Sequence, residues 1–430
     1  MAHFAVVAPP LYSHFHALQA LSQALIARGH RITFLQQADA RTLLSDGRIN
    51  FAVTGERTHP VGSLAQALHH LASPLSLLRV INDISASTDM LCRELPGKLN
   101  ALQVDGVIAD QMEAAGGLVA EALGLPFVSV ACALPVNREP GIPLAVMPFR
   151  YGQDARALKR FQASEEIYDR IMRRHGQVIA QYAQNFGLSP RHGLHQCLSP
   201  LAQISQLVPA FDFPRQQLPA CFHAVGPLYT PPMGTAAAAP WPGLREPVVY
   251  ASLGTLQGQR FSLFMRLARA CRQQQLSLVV AHCGGLNARQ VHQLELAGAA
   301  WVTDFLDQRA ALQHAQLFIT HAGLNSTLEA LECGTPMLAM PIAFDQPGVA
   351  ARIAWHGVGI RASRFSRQSL LEHHIHTLLN DPRYRLRMSA IQAQLQRAGG
   401  CARAAEIVEQ ALCQQQVVLA EGTRCAPITM

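Results

Sequence analysis

The stretch Thr320-His321-Ala322-Gly323-Leu324-Asn325-Ser326-Thr327-Leu328-Glu329, within the longer segment Trp301 to Gln346, decides how this chain is read. Leu317 to Thr320 is a short apolar run of the kind that forms a buried parallel strand. His321 and Gly323 make the turn. Asn325 to Leu331 then has helical spacing, with polar residues in its first turn. A strand that turns directly into a helix aims free backbone N–H groups and the positive helix end at one point, which favours a phosphate group. His321 adds a ring donor, and Ser326 and Thr327 add hydroxyls. Glu329, one turn on, is set to accept from a ribose hydroxyl. A second apolar strand, Met337 to Met340, leads to Asp345-Gln346, whose oxygens and amide suit a polyhydroxylated ring. Phosphate, ribose and sugar together describe a nucleotide-sugar site.

Outward from this segment the pattern is strand then helix, repeated, which signals parallel sheets covered on both faces. Phe4 to Ala8 reads as a buried strand, followed by a Pro-Pro loop carrying His14 and a helix from about Phe15 to Ala27 that Gly29 ends. Strands follow at Arg31 to Leu35, Val104 to Ala109 and Phe127 to Ala131, the last two flanking a helix from Ala114 to Leu123. Arg156 to Asn185 reads as one long charged helix. Prolines crowd the stretch from Pro227 to Pro247, which marks a stiffened linker. The alternation then restarts with strands at Val248 to Ser252, Ser277 to Ala281 and Ala300 to Thr303, and a helix from Ser262 to Arg272. Helices at about Gln368 to Leu379, Tyr384 to Gln396 and Ala402 to Gln414 end the chain. The expected fold class is α/β: two Rossmann-like doubly wound domains facing each other across a cleft. The first spans residues 1–230, 231–246 is the linker, and 247–430 carries the nucleotide-sugar segment. The last helix is a candidate to pack back on the first domain. No G-x-G-x-x-G fingerprint occurs, which argues against hydride transfer from a nicotinamide.

A chain of 430 residues exceeds one ordinary core. Its hydrophobic content of 49% and charged content of 15% describe a packed globular protein. The formal charge of +7 comes from scattered basic residues, so a nucleic-acid partner is not expected. Ten cysteines include no C-x-x-C pair, which disfavours a zinc ribbon and suggests a reduced, cytoplasmic setting. No apolar run reaches the ~18–20 residues needed to span a bilayer, so any membrane contact is expected to be peripheral.

Three further segments narrow the reading: Pro9-Pro-Leu-Tyr-Ser-His14, Cys132-Ala-Leu-Pro-Val-Asn-Arg-Glu-Pro-Gly141 and Ala251-Ser-Leu-Gly-Thr-Leu-Gln-Gly258. With Phe305-Leu306-Asp307-Gln308 through Asp345-Gln346, they resemble the UDP-glycosyltransferase family over nearly the whole chain. The resemblance implies the two-Rossmann-domain fold called GT-B and inverting transfer of glucose from UDP-glucose, used as co-substrate with no separate cofactor. It implies that residues 1–230 bind the acceptor, an apolar hydroxylated molecule, a carotenoid diol such as zeaxanthin, giving mono- and diglucosides. Another apolar acceptor, or nucleotide-sugar 2-epimerisation on the same fold, is the alternative.

The resemblance assigns His14 as general base, a task that an imidazole titrating near neutrality suits. It places Asp110 behind His14 as the orienting carboxylate, with helix capping as the competing reading. His16 serves as a control that should point elsewhere. On the donor side the expected set is Ser252, Gly254, Thr255, His282, Phe305, Gln308, His321, Gly323, Asn325, Ser326, Glu329, Asp345 and Gln346. Phe305 would stack on a uracil and Gln308 would meet its edge. Phe305 departs from the tryptophan usual in the plant branch of the family. Asp-x-Asp, a metal–diphosphate clamp, is absent, and no metal is expected. Leu134 to Phe149 and the apolar stripe of the 156–185 helix are candidates to line an acceptor tunnel.

Overall fold

The computed structural model describes residues 1–72, 76–229, 239–241 and 243–420. Two sheets organise it. The first contains β1 (His3–Val7), β2 (Arg31–Gln36), β3 (Asn50–Val53), β4 (Gly106–Asp110), β5 (Phe127–Ala131), β6 (Gln203–Ser205) and β7 (Phe222–Ala224). The second contains β8 (Val248–Ser252), β9 (Ser277–Ala281), β10 (Ala299–Thr303), β11 (Leu317–Thr320), β12 (Met337–Ala339) and β13 (Gly359–Arg361). Their orders are β3-β2-β1-β4-β5-β6-β7 and β10-β9-β8-β11-β12-β13, and the pairings are parallel. Strands β1, β4, β5 and β8 are buried at every residue, because helices cover both faces of such a sheet.

Each sheet reverses direction once. The chain steps outward from β1 to β2 and later returns to lay β4 on the other side of β1. It does the same with β8, β9 and β11. In open parallel sheets the crevice at the carboxyl ends of the strands flanking such a reversal is where ligands bind. His14 follows β1, Asp110 ends β4, Ser252 ends β8 and His321 follows β11. Four of the expected site residues therefore stand at the two reversals.

Several local expectations are corrected. The first helix is Tyr12–Ala27, so His14 lies in its opening turn and not in a loop. The Pro-Pro pair hides that start, and Leu11 at its N-cap makes no side-chain capping bond. The 156–185 segment is two helices, Ala155–Ile171 and Arg173–Asn185, separated at Met172. The segment expected from Tyr384 to Gln396 is likewise split, into Arg383–Leu386 and Met388–Arg397. Most of the expected linker, residues 231–238 and 242, lies outside the described residues.

The two halves are packed together. Leu134, Leu207, Val208 and Phe211 from the first half share a core with Leu324, Val349, Ile353 and Met388 from the second. Arg352, fully buried, forms an ion pair with Asp212 at 2.7 Å and lies over the ring of Phe213. Gly348 passes so close to the carbonyl of Ala145 that a β-carbon would collide with it. The helix Gly400–Cys413 follows the second sheet in sequence but packs on the first half, burying Ala404, Ile407, Val408, Ala411 and Leu412 against Phe15, Leu18 and Leu21. Glu409 on that helix pairs with Arg28 at 2.6 Å and His30 at 2.8 Å.

Candidate active site

On the first half, the turn after β1 and the end of β4 bring a histidine and a carboxylate together. His14 Nδ1 and Asp110 Oδ2 are 2.7 Å apart, both buried. The second oxygen of Asp110 accepts the backbone N–H of Met112 at 2.8 Å, which fixes the carboxylate plane. An ionised carboxylate only accepts, so Nδ1 carries the proton and Nε2 keeps its lone pair. Nε2 has no partner among the described residues. Burial alone would lower the pKa of His14, but the charge and hydrogen bond of Asp110, with a smaller contribution from Asp345, raise it above the usual value. Capping of the helix Ala114–Ala122 falls instead to Glu113, whose side chain accepts from the N–H of Ala115 at 3.1 Å. Thr88 also donates to Glu113 at 2.8 Å. His16 is exposed and stacks on Tyr12, away from the pair.

Cys132 is a neighbour that sequence reasoning passed over. Its sulfur, a ring nitrogen of His14 and a carboxylate oxygen of Asp110 lie within 4.8 Å of one another. Burial first, and then the charge of Asp110, push the thiol well above its ordinary range. Cys132 therefore stays protonated as a weak S–H donor beside Asp110, not a thiolate ready to ligate. Its position at the end of β5, one strand from β4, was the available signal.

On the second half, His321 is held between two glycines. A β-carbon on Gly254 would lie 2.8 Å from His321 Cε1, and one on Gly323 would lie 2.6 Å from Nε2. Gly254 also has φ +73°, a conformation glycine adopts without strain. The residue after the histidine, Ala322, has φ +65°, uncommon for a residue with a side chain. The turn is thus shaped around the imidazole. Burial pushes His321 down to about 4, so the ring is neutral near pH 7 and offers one N–H. The helix Leu324–Cys333 begins beside it with Gly323 as N-cap and no side-chain cap, which leaves its first backbone donors for a ligand. Ser252 is buried at the end of β8, and Thr255 is exposed in the turn that follows. Thr327, expected to add a hydroxyl, is instead fully buried.

On the same half, a group of polar side chains is connected. Gln308 Nε2 donates to Ser326 Oγ at 3.1 Å and to Glu329 Oε2 at 2.6 Å. Its amide N–H groups are therefore turned toward its own chain, leaving Oε1 as the group without such a bond. Burial raises the Glu329 carboxyl, an effect partly offset by Gln308. Phe305 is 67% exposed, a large apolar ring presented to solvent just before the helix Gln308–His314.

Four further donor-side candidates, His282, Asn325, Gln346 and Asp345, have protein partners. His282 is committed structurally: Nδ1 accepts from the N–H of Leu286 at 3.1 Å, and Nε2 lies 3.1 Å from Asp304. It braces the crevice wall. Asn325 spans the two halves, donating to the carbonyl of Ser13 at 3.2 Å and accepting from Gln206 at 2.9 Å. The first turn of its helix faces the first half, so a short amide reaches across. Gln346 spends its oxygen on the N–H groups of Ile342 and Ala343, both at 2.9 Å. Asp345 accepts from the N–H of Leu134 across the cleft at 3.1 Å, and its charge acts on His14. Asn325 and Asp345 thus bring the turn of His321 and the pair His14–Asp110 onto one cleft. Within Leu134 to Phe149, expected to line a tunnel, the carbonyl of Pro148 accepts from Arg361 at 2.6 Å and Ile142 packs with Phe213 and Ala351.

Known proteins share the sequence and the fold of this chain. Residues 200–394 match the family described as UDP-glucoronosyl and UDP-glucosyl transferase. The chain is 54% identical over 422 residues to zeaxanthin glucosyltransferase of Pantoea ananas, covering 97% of this chain and 98% of that one. It is 50% identical to zeaxanthin glucosyltransferase of Pseudescherichia vulneris, covering 97% and 100%. Among solved structures, the glycotransferase of kitacinnamycin superposes with a TM-score of 0.75 at 19% identity, covering 96% of this chain and 99% of that one. The two facing parallel sheets are of the GT-B fold, and the relatives of 54% and 50% identity make this chain a glycosyltransferase. This chain belongs to the UDP-glycosyltransferase family. Among the described residues no helix is long and apolar enough to cross a membrane.

Proposed function

We propose that this enzyme moves glucose from UDP-glucose to the ring hydroxyls of zeaxanthin, with inversion, giving the mono- and then the diglucoside. The observation that carries the chemistry is the cleft shared by His14–Asp110 and the turn of His321, bridged by Asn325 and Asp345. The acceptor follows from the two zeaxanthin glucosyltransferases of 54% and 50% identity. His14 Nε2 takes the proton of the acceptor hydroxyl while Nδ1–H remains on Asp110, which stabilises the imidazolium that forms. The oxygen attacks the anomeric carbon opposite the diphosphate. The bond from that carbon to the UDP oxygen breaks, its electron pair leaving with UDP. Charge growing on the diphosphate is met by the N–H of neutral His321, the hydroxyl of Ser326 and the free N–H groups at the start of Leu324–Cys333. Phe305 stacks on the uracil, Glu329 accepts from the ribose, and Asp345 and the amide nitrogen of Gln346 hold glucose hydroxyls. No metal or separate cofactor takes part in this scheme.

Assay with labelled UDP-glucose and a panel of hydroxylated carotenoids, steroids and flavonoids tests the acceptor. A preference for steroid or flavonoid would overturn it. His14→Ala is expected to lower turnover by roughly 10²–10⁴, and near-normal turnover with donor binding intact would remove the base assignment. Epimer formation from UDP-glucose alone would favour the 2-epimerase alternative. Because the acceptor partitions into bilayers, we also propose peripheral contact with the inner face of the cell membrane.

A further inference from the structure

A second cavity, of about 740 Å³, opens beside the end of β13. Arg150 reaches it from the first half, Arg361 and Arg364 from the segment ending β13, and Arg387 from the break between the last helices of the second half. Pro341 and the helix Gln346–His356 form the inner wall. Among the described residues none of the four arginines has a carboxylate partner. Asp381, whose carboxyl feels the charge of Arg387, is itself clasped by Arg383 at 2.7 Å. Arg361 spends one N–H on the carbonyl of Pro148 and keeps others. Arg387 lies so tightly over Gly357 that a β-carbon there would collide with its guanidinium, so the backbone at φ +64° leaves room for the charge. The charge of Arg364, after burial, also lowers the pKa of Arg260.

Four like charges gathered without counter-charge raise the free energy of the empty pocket and lower it when an anion enters. Guanidinium groups are planar forks whose paired N–H donors match phosphate oxygens two at a time. Apolar groups lie at the rim. Phe365 is 76% exposed beneath the guanidinium of Arg364 at 4.6 Å, and Leu386, beside Arg387, is 69% exposed. None of the pocket's lining residues belongs to the expected donor set, and β13 is two strands from β11, roughly 10 Å across the sheet.

We propose that this arginine pocket binds a phosphate group, supplied either by an anionic phospholipid headgroup or by phosphate free in solution. The inference does not depend on the identity of the acceptor. Its test uses the full chain with two probes: inorganic phosphate up to about 20 mM against chloride of matched ionic strength, and phosphatidylglycerol against phosphatidylcholine vesicles. Binding is read by thermal shift and by cosedimentation. Wild type should respond to at least one probe, and R150E/R364E should weaken that response roughly tenfold or more. R387Q, a milder change, should weaken it in the same direction. R173E/R174E, which alters net charge equally on a helix of the first half, should leave it unchanged. Unaltered melting and UDP binding serve as folding controls. A phosphate response alone assigns the site to a free anion and counts against membrane contact. A vesicle response alone assigns it to a lipid headgroup. No response to either probe, or equal losses in R150E/R364E and R173E/R174E, would overturn the proposal.

Discussion

Replacing Asp110 by asparagine tests the catalytic reading with little disturbance of shape. The amide oxygen can keep the bond from the N–H of Met112 that Oδ1 accepts at 2.8 Å, so the turn should hold. The charge facing His14 Nδ1 at 2.7 Å is lost. With charge centres ~4 Å apart and an effective dielectric of ~20, that charge stabilises an imidazolium by about 4 kcal/mol, or roughly 10³ in rate. Solvent entering with the acceptor reduces the figure, so the expected loss in kcat is about 10²–10³. The pH profile adds a second readout. In the proposed mechanism His14 acts as the neutral ring, and its pKa is raised above the usual value because Asp110 and Asp345 outweigh burial. Wild-type kcat/KM should therefore climb with pH and level off only above about 6.5. In Asp110→Asn burial is opposed by Asp345 alone, so the climbing limb should shift to lower pH. The deficit should then be largest in the alkaline range and smaller in acid. Steady-state rates from pH 5 to 9 with saturating UDP-glucose decide the matter. Turnover within about twofold of wild type, or a limb that does not move, would refute the role given to Asp110.

Gly254→Ala should distort the nucleotide site while leaving the fold intact. The new methyl would lie 2.8 Å from His321 Cε1 on backbone at φ +73°, strain of ~1–2 kcal/mol before the ring moves. Calorimetry should show UDP binding weakened at least about tenfold, and unchanged affinity would separate His321 from the phosphates. Phe305→Ala removes a ring that is already 67% exposed, so urea unfolding should shift by under about 0.5 kcal/mol. UDP affinity should nevertheless fall about 5- to 100-fold, the range for loss of one stacked base; retention would mean the ring does not touch the base. Asp212→Ala strands Arg352, which is 0% exposed, and should cost about 3–5 kcal/mol in urea denaturation. A cost under about 1 kcal/mol would mean that water already reaches the pair.

The residues that announced themselves in the sequence are those whose setting is local. Leu317 to Thr320 and Val248 to Ser252 are short apolar runs ended by turn chemistry, and both form strands with those bounds. Ser252 and His321 were legible because each stands at the end of a strand, where a parallel sheet gathers its ligands, whereas the roles of Asp110 and of His14, seven residues past β1, came from the family resemblance. Strands β6, β7 and β13 are only three residues each, too short for a periodic signal. The pair formed by Arg352 and Asp212 joins positions 140 apart, and nothing in either neighbourhood signals the other. Asn325 was expected among the donor residues because sequence shows which side chains open a helix, but not what lies across the gap. The same blindness hid the commitment of His282 to Asp304 and Leu286, and the place of Cys132 beside Asp110.

The return of the helix Gly400–Cys413 to the first half bears on anyone recombining this enzyme with a relative. A chimera joined once, in the proline-rich connection, would dock a foreign tail on the native Phe15–Leu21 surface and would also mismatch Glu409 against Arg28 and His30. Exchange of second halves should instead use two crossovers, the second near Gly399, so that each first half travels with its own terminal helix.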